Sequence, residues 1–199
     1  MIAYIKGKIA HKSPTHIYLE SGGIGYLVYV SLNTFSAIQD KAEVKLYIHP
    51  YFIKEAQALS GIALYGFFEE KEKELFQYLI SISGVGASSA TLALSAMTTD
   101  ELVHAIQTEN EAKITSIKGV GPKTAKRLIL ELKDKVSRIQ TGTINSASSN
   151  NTIRDEALSA LVALGFNKAQ SDKTLNKILS GKGLTDTVED LIKQALKQM

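Results

Sequence analysis

A nine-residue segment occurs twice in this chain. Ile82-Ser83-Gly84-Val85-Gly86-Ala87-Ser88-Ser89-Ala90 returns 35 residues later as Ile117-Lys118-Gly119-Val120-Gly121-Pro122-Lys123-Thr124-Ala125. Each copy lies between two stretches whose apolar residues recur at helical spacing, so each predicts a helix, a Gly-x-Gly hairpin and a second helix. Glycine permits positive φ and puts no side chain in the way, so N–H groups at the start of the following helix can face a phosphate oxygen. The first copy offers Gly84, Val85, Gly86, Ser88 and Ser89. The second offers Lys118, Gly119, Val120, Gly121, Lys123 and Thr124, with Lys126 and Arg127 close behind. Pro122 suits the first turn of its helix, where the missing N–H is not needed. The first copy carries no cation and would rely on backbone N–H groups and hydroxyls.

Charge supports an anionic partner for the second copy. From Lys113 to Arg138 there are eight cationic and two acidic residues, a net +6, while the whole chain sums to only +3. A concentrated basic stretch on a nearly neutral chain is the footprint expected of phosphate contacts. One Gly-rich turn between helices is a weak signal; two in tandem, one of them inside the basic segment, predict nucleic-acid binding through the backbone.

The flanking regions read differently. Residues 1–64 are rich in Ile, Val and Tyr and show short alternating runs such as His16 to Glu20 and Tyr26 to Val30. About five strands are expected, closed into a small barrel that removes its own edges. Period two gives way to period 3.6 near Phe67, and helical patterning then runs through 65–140, with Thr99-Asp100 as the expected cap of one helix. Residues 141–152 (TGTINSASSNNT) carry no charge and one large apolar residue, which predicts a flexible tether. Residues 153–199 hold three amphipathic pieces, expected to form a small three-helix bundle with Leu164 and Phe166 buried in it. The fold class is therefore multi-domain α+β. The eight tyrosines and six phenylalanines are expected mainly in cores.

Read together, these segments resemble the RuvA family, the Holliday-junction-binding subunits of the bacterial branch-migration complex. The resemblance spans essentially the whole chain. It rests on Met1 to Gly7, Gly23-Ile24-Gly25-Tyr26, Leu64-Tyr65-Gly66-Phe67, both hairpins, Leu128 to Lys135, Ala157 to Leu161 and Leu164-Gly165-Phe166, in that order. It implies an oligonucleotide-binding (OB-fold) barrel through which four subunits associate, as a tetramer or as two tetramers face to face. It implies a tandem helix-hairpin-helix domain on four-way junction DNA and a UBA-like C-terminal bundle that binds the hexameric RuvB ATPase. ATP and Mg2+ would belong to that partner, this chain having no cofactor of its own, and the RuvC resolvase would be a further partner. The family also carries an acidic pin on a barrel loop. The matching loop here, Ile53 to Leu64, is about four residues longer and offers only Glu55 beside Lys54, so Glu55 is the pin residue the resemblance implies.

Other chemistries are disfavoured. Without cysteine there are no disulfides, thiolate nucleophiles or cysteine-ligated metals, and a reducing cytoplasm is the expected compartment. No Gly-x-x-x-x-Gly-Lys-[Ser/Thr] phosphate loop occurs, and His11, His16, His49 and His104 lack metal-ligand spacing. Lysines at 6, 8 and 12 interrupt any leader, and no apolar stretch is long enough to span a membrane. No catalytic or metal residue is assigned. The competing reading is a repair nuclease or glycosylase built on the same hairpins, which needs a catalytic Asp or Lys beside one of them. Asp134 is the sole aspartate of the basic segment.

Overall fold

A computed structural model describes residues 1–55, 58–141, 149–180 and 187–198. It divides into two compact units, Met1–Gly142 and Thr143–Met199.

The first unit begins with β1 (Tyr4–Ser13), β2 (His16–Ser21), β3 (Ile24–Val30), β4 (Glu43–Glu55) and β5 (Ala58–Phe67), closed in the order β1-β2-β3-β5-β4. All pairs are antiparallel except β3 with β5. The alternation seen in the sequence points Ile17, Leu19, Val28, Val30, Val44, Leu46 and Ile48 inward, where all are buried. Strand β5 continues to Phe67, beyond the boundary expected at 64, because Phe67 still pairs with Tyr47 while its ring enters the helical core. A short helix, α1 (Leu32–Ile38), plugs the barrel with Ile38, and sequence patterning missed it. Seven residues are too few for helical periodicity to stand out. Its start is marked instead by Ser31, whose hydroxyl accepts from Thr34 N at 3.0 Å.

The helical part of the unit comprises α2 (Glu70–Ser81), α3 (Ala87–Ala96), α4 (Thr99–Gln107), α5 (Glu111–Thr115) and α6 (Pro122–Thr141). One core holds them together, including Phe67, Leu75, Phe76, Leu79, Leu94, Leu102, Ile106, Leu128 and Leu132. The cap of α4 is Thr98, one residue earlier than expected. Its hydroxyl accepts from Glu101 N at 3.2 Å while the Glu101 carboxylate accepts from Thr98 N at 2.9 Å, a reciprocal capping box.

The second unit contains α7 (Ser149–Ala163), α8 (Lys168–Ser180) and α9 (Val188–Gln198) around Ala157, Leu161, Leu175, Ile178, Leu191 and Ala195. The expected tether is thus helical at both margins, since Thr141 ends α6 and α7 begins at Ser149; residues 142–148 lie outside the described ones. Leu164 and Phe166 depart from expectation: they are 62% and 37% exposed. They follow the end of α7, and the turn at Gly165, with φ +95°, carries them off the packed face.

Candidate nucleic-acid interface

The two hairpins adopt the same backbone. Val85 N donates to Ile82 O at 3.0 Å, and Val120 N donates to Ile117 O at 3.0 Å. Gly84 and Gly119 close these turns at φ +92° and +89°, where any β-branched side chain would be strained. The next helices start alike, with Ala90 N on Gly86 O at 3.0 Å and Ala125 N on Gly121 O at 2.9 Å. Burial follows the repeat: Ile82, Val85 and Ala90 match Ile117, Val120 and Ala125, all buried. Val85 and Val120, named above as contacts, therefore anchor the hairpins with their side chains and can offer a ligand only backbone.

Gly86 and Gly121 have no such internal reason to be glycine. Neither has positive φ, and a Cβ built on either meets no described atom within 4 Å. At Gly86, the N-cap of α3, no side chain bonds the first turn, so the leading N–H groups have no intrahelical or side-chain cap. Both positions are thus open to close approach from outside the chain. The hairpins also lie side by side: a Cβ on Gly119 would come 3.6 Å from Ser89 Oγ. Ser88 is exposed, while Ser89 and Thr124 are half-buried.

Charge divides the cations into two groups. Lys118 and Lys123 are exposed and, among the described residues, have no acidic partner within 4.0 Å. Lys126 Nζ lies 3.9 Å from Glu111 Oε1, and Arg127 Nε donates to Glu131 Oε1 at 2.6 Å. Lys113 lies 3.9 Å from Glu101, and Lys133 bonds Glu109. That last hydrogen bond, helped by the opposite charges, holds the Glu109 carboxyl below its ordinary range and raises Lys133. Sequence counting could not see this, because Glu101, Glu109 and Glu111 all precede the basic segment. The uncommitted positive charge nearest either hairpin is Lys118 and Lys123.

Asp134 does not sit beside a hairpin. It is twelve residues into α6 from Pro122, about 18 Å along the axis at helical rise. Glu55 ends β4 and pairs in register with Ala58; its side chain lies outside the described residues, as do residues 56–57. Most of the expected loop is instead a β4–β5 ribbon, with an irregularity between Ile53 and Lys54.

The tyrosines meet expectation in part: Tyr26, Tyr51, Tyr65 and Tyr78 pack against the two cores, while Tyr4, Tyr18 and Tyr29 are exposed. None of the eight is fully buried. Tyr29 and Tyr65 sit opposite each other on β3 and β5 with rings 5.6 Å apart, and Tyr65 continues onto Phe76 of α2 at 5.0 Å. These rings join the outer barrel wall to the helical core. No described helix is long and apolar enough to cross a membrane.

A closed five-stranded barrel joined to two matched helix-hairpin-helix units defines the class of this protein. Comparison with known families agrees: residues 1–66 match the RuvA N-terminal domain, 76–134 the SAM-like helix-hairpin-helix tandem, and 152–199 the RuvA C-terminal domain. Curated relatives named Holliday junction branch migration complex subunit RuvA include that of Cytophaga hutchinsonii, 46% identical over 99% of both chains. Those of Parabacteroides distasonis and Christiangramia forsetii are 45% and 44% identical over the full length of both. The chain belongs to the RuvA family.

Proposed function

We propose that this protein binds four-way junction DNA as the non-catalytic subunit of a branch-migration complex acting in homologous recombination and DNA repair. The observation that carries this is the pair of open glycines, Gly86 and Gly121, on two matched hairpins lying side by side. Backbone N–H groups there meet phosphate oxygens without reading bases. Gly84, Val85 and Gly86 with Ser88 and Ser89 form one contact. Lys118, Gly119, Val120, Gly121, Lys123 and Thr124 form the other, and Lys126 and Arg127 extend it once their surface pairs open, at a cost of at most about 1 kcal/mol each.

The barrel, 1–67 by its strands, serves self-association into a tetramer or a pair of tetramers, which sets four hairpin pairs around one junction. Glu55 of each copy stands as the pin that repels phosphates at the crossover. The bundle within 153–199 recruits the RuvB ATPase, whose ATP and Mg2+ drive migration, and the assembly hands its junction to the RuvC resolvase in the cytoplasm. The exposed Leu164 and Phe166 suit a protein partner for that bundle.

A gel-shift titration comparing a four-way junction with a linear duplex of the same arm sequence tests the assignment. The junction is expected to bind at least about tenfold tighter; equal affinities would refute it. Removing residues 151–199 should leave junction binding intact and abolish stimulation of the motor.

A further inference from the structure

Helix α1 belongs to the barrel by sequence order, yet its first turn is bonded to both helices that flank the first hairpin. On one side it meets α2. Ser31 Oγ donates to Glu72 Oε1, and Thr34 Oγ1 donates to Glu72 Oε2 at 2.6 Å. Both hydroxyl oxygens are used again, Ser31 accepting from Thr34 N and Thr34 accepting from Phe68 N, each at 3.0 Å. On the other side it meets α3. Asn33 Nδ2 donates to Leu94 O at 2.6 Å and to Met97 O at 2.8 Å, satisfying carbonyls at the end of that helix. Leu32 N donates to Ser95 Oγ at 3.0 Å.

Glu72 makes this arrangement unusual. Its side chain is buried, at 5% exposure, and no cation pairs with it among the described residues. Burial, outweighing the two hydroxyl bonds, pushes its carboxyl above the ordinary range. An unpaired buried carboxylate is expensive, and an apolar side chain of similar length would fill the space at lower cost. What the carboxylate supplies is direction: its two oxygens take two donors fixed on one turn of α1, which defines a single rotation of α2 against the barrel.

We propose that Ser31, Asn33, Thr34 and Glu72 form a positioning clamp that fixes the angle at which the barrel presents the first hairpin, and thereby the selection of a four-way junction over a duplex. The inference rests on the junction-binding function proposed above. A single duplex arm needs only the hairpins, whereas four arms held at once need every subunit at the same angle. Glu72 touches no DNA; it acts through α2.

The chain has no cysteine, so Glu20→Cys with His104→Cys places two spin labels, one on the barrel and one on α4, with no background. Labelled chains diluted into unlabelled protein give one barrel-to-helix distance per molecule by pulsed electron paramagnetic resonance. A narrow distribution is expected for the otherwise unaltered chain. Glu72→Gln keeps the volume but leaves one hydroxyl proton without an acceptor, and the distribution is expected to broaden about twofold. Junction affinity should fall about tenfold, with duplex affinity held within twofold. Asn33→Ala, which removes two of the three bonds to the α3 end and leaves Glu72 paired, should change both readouts in the same direction by less, and it decides the matter if Glu72→Gln fails to fold. Unchanged distance widths in both variants overturn the clamp, as does equal loss on junction and duplex. Unaltered protein with no junction preference would refute the function, while the widths would still decide the clamp.

Discussion

The hairpin at Ser83 to Gly86 and the hairpin at Lys118 to Gly121 share a backbone and its buried anchors and differ in the side chains they expose. Their turns, their left-handed glycines and the first bonds of the helices that follow agree to 0.1 Å and a few degrees. Around the first stand Ala87, Ser88 and Ser89; around the second stand Lys118, Lys123 and Thr124. The first is also bonded to the barrel through α1, which grips both of its helices. On the proposed function, duplication preserved the part that meets a phosphate at short range, where geometry is unforgiving. It left free the part that attracts phosphate at longer range, where only charge counts. In this proposal the first hairpin supplies a fixed reference and the second supplies most of the attraction.

Substitutions can break this comparison. Gly84→Val and Gly119→Val put a β-branched residue at positive φ, where each should destabilise the folded chain by about 1–3 kcal/mol. Thermal melts of the two variants should drop by similar amounts, and a drop at one position alone would mean that the hairpins are not equivalent. Lys118→Ala with Lys123→Ala should lower the slope of log affinity against log salt by about 1.8, whereas Ser88→Ala with Ser89→Ala should leave the slope unchanged. Equal slopes for the two double variants would erase the proposed division between them. Ser88→Lys should make the first hairpin behave more like the second, tightening junction binding severalfold at low salt and raising the slope by about 0.9. Lys126→Ala should have the smallest effect, under about threefold, because Glu111 already balances that charge and loses its partner in turn. Fluorescence anisotropy at three or more salt concentrations measures each of these binding effects.

Much of this molecule was legible in its sequence, and the exceptions share a cause. The repeat, the barrel alternation and the three C-terminal helices are local periodic signals, and the structure contains each. The +6 segment was also legible, yet its meaning was not: the acids that pair with Lys113, Lys126 and Lys133 lie before the segment and reach it only through the packing of α4 and α5 on α6. The same holds for Glu72. Within Glu69 to Glu74 it looks like one more solvated charge; its spacing of three, four and seven residues before Leu75, Phe76 and Leu79 puts it on the buried stripe, but its partners are 38 and 41 residues away and no local pattern names them. The outward-facing tyrosines misled for a related reason. Strand alternation tells which residues share a face, but a closed barrel has an outer face too, and there Tyr29 and Tyr65 stack against each other. A compensating signal existed for α1, since Ser31 followed three residues later by the N–H of Thr34 is an ordinary helix start hidden inside a strand-rich region.

The two open glycines carry the central claim that both hairpins meet phosphate at short range through their backbone. Gly86→Val and Gly121→Val place a side chain where the chain itself has only space, so each should fold, with a capping loss of about 1 kcal/mol at most. Junction affinity measured side by side should fall in both, by about tenfold or more, as expected when a charge-assisted contact is blocked. A folded Gly86→Val protein that binds the junction as tightly as the unaltered chain would contradict a phosphate contact at the uncharged hairpin.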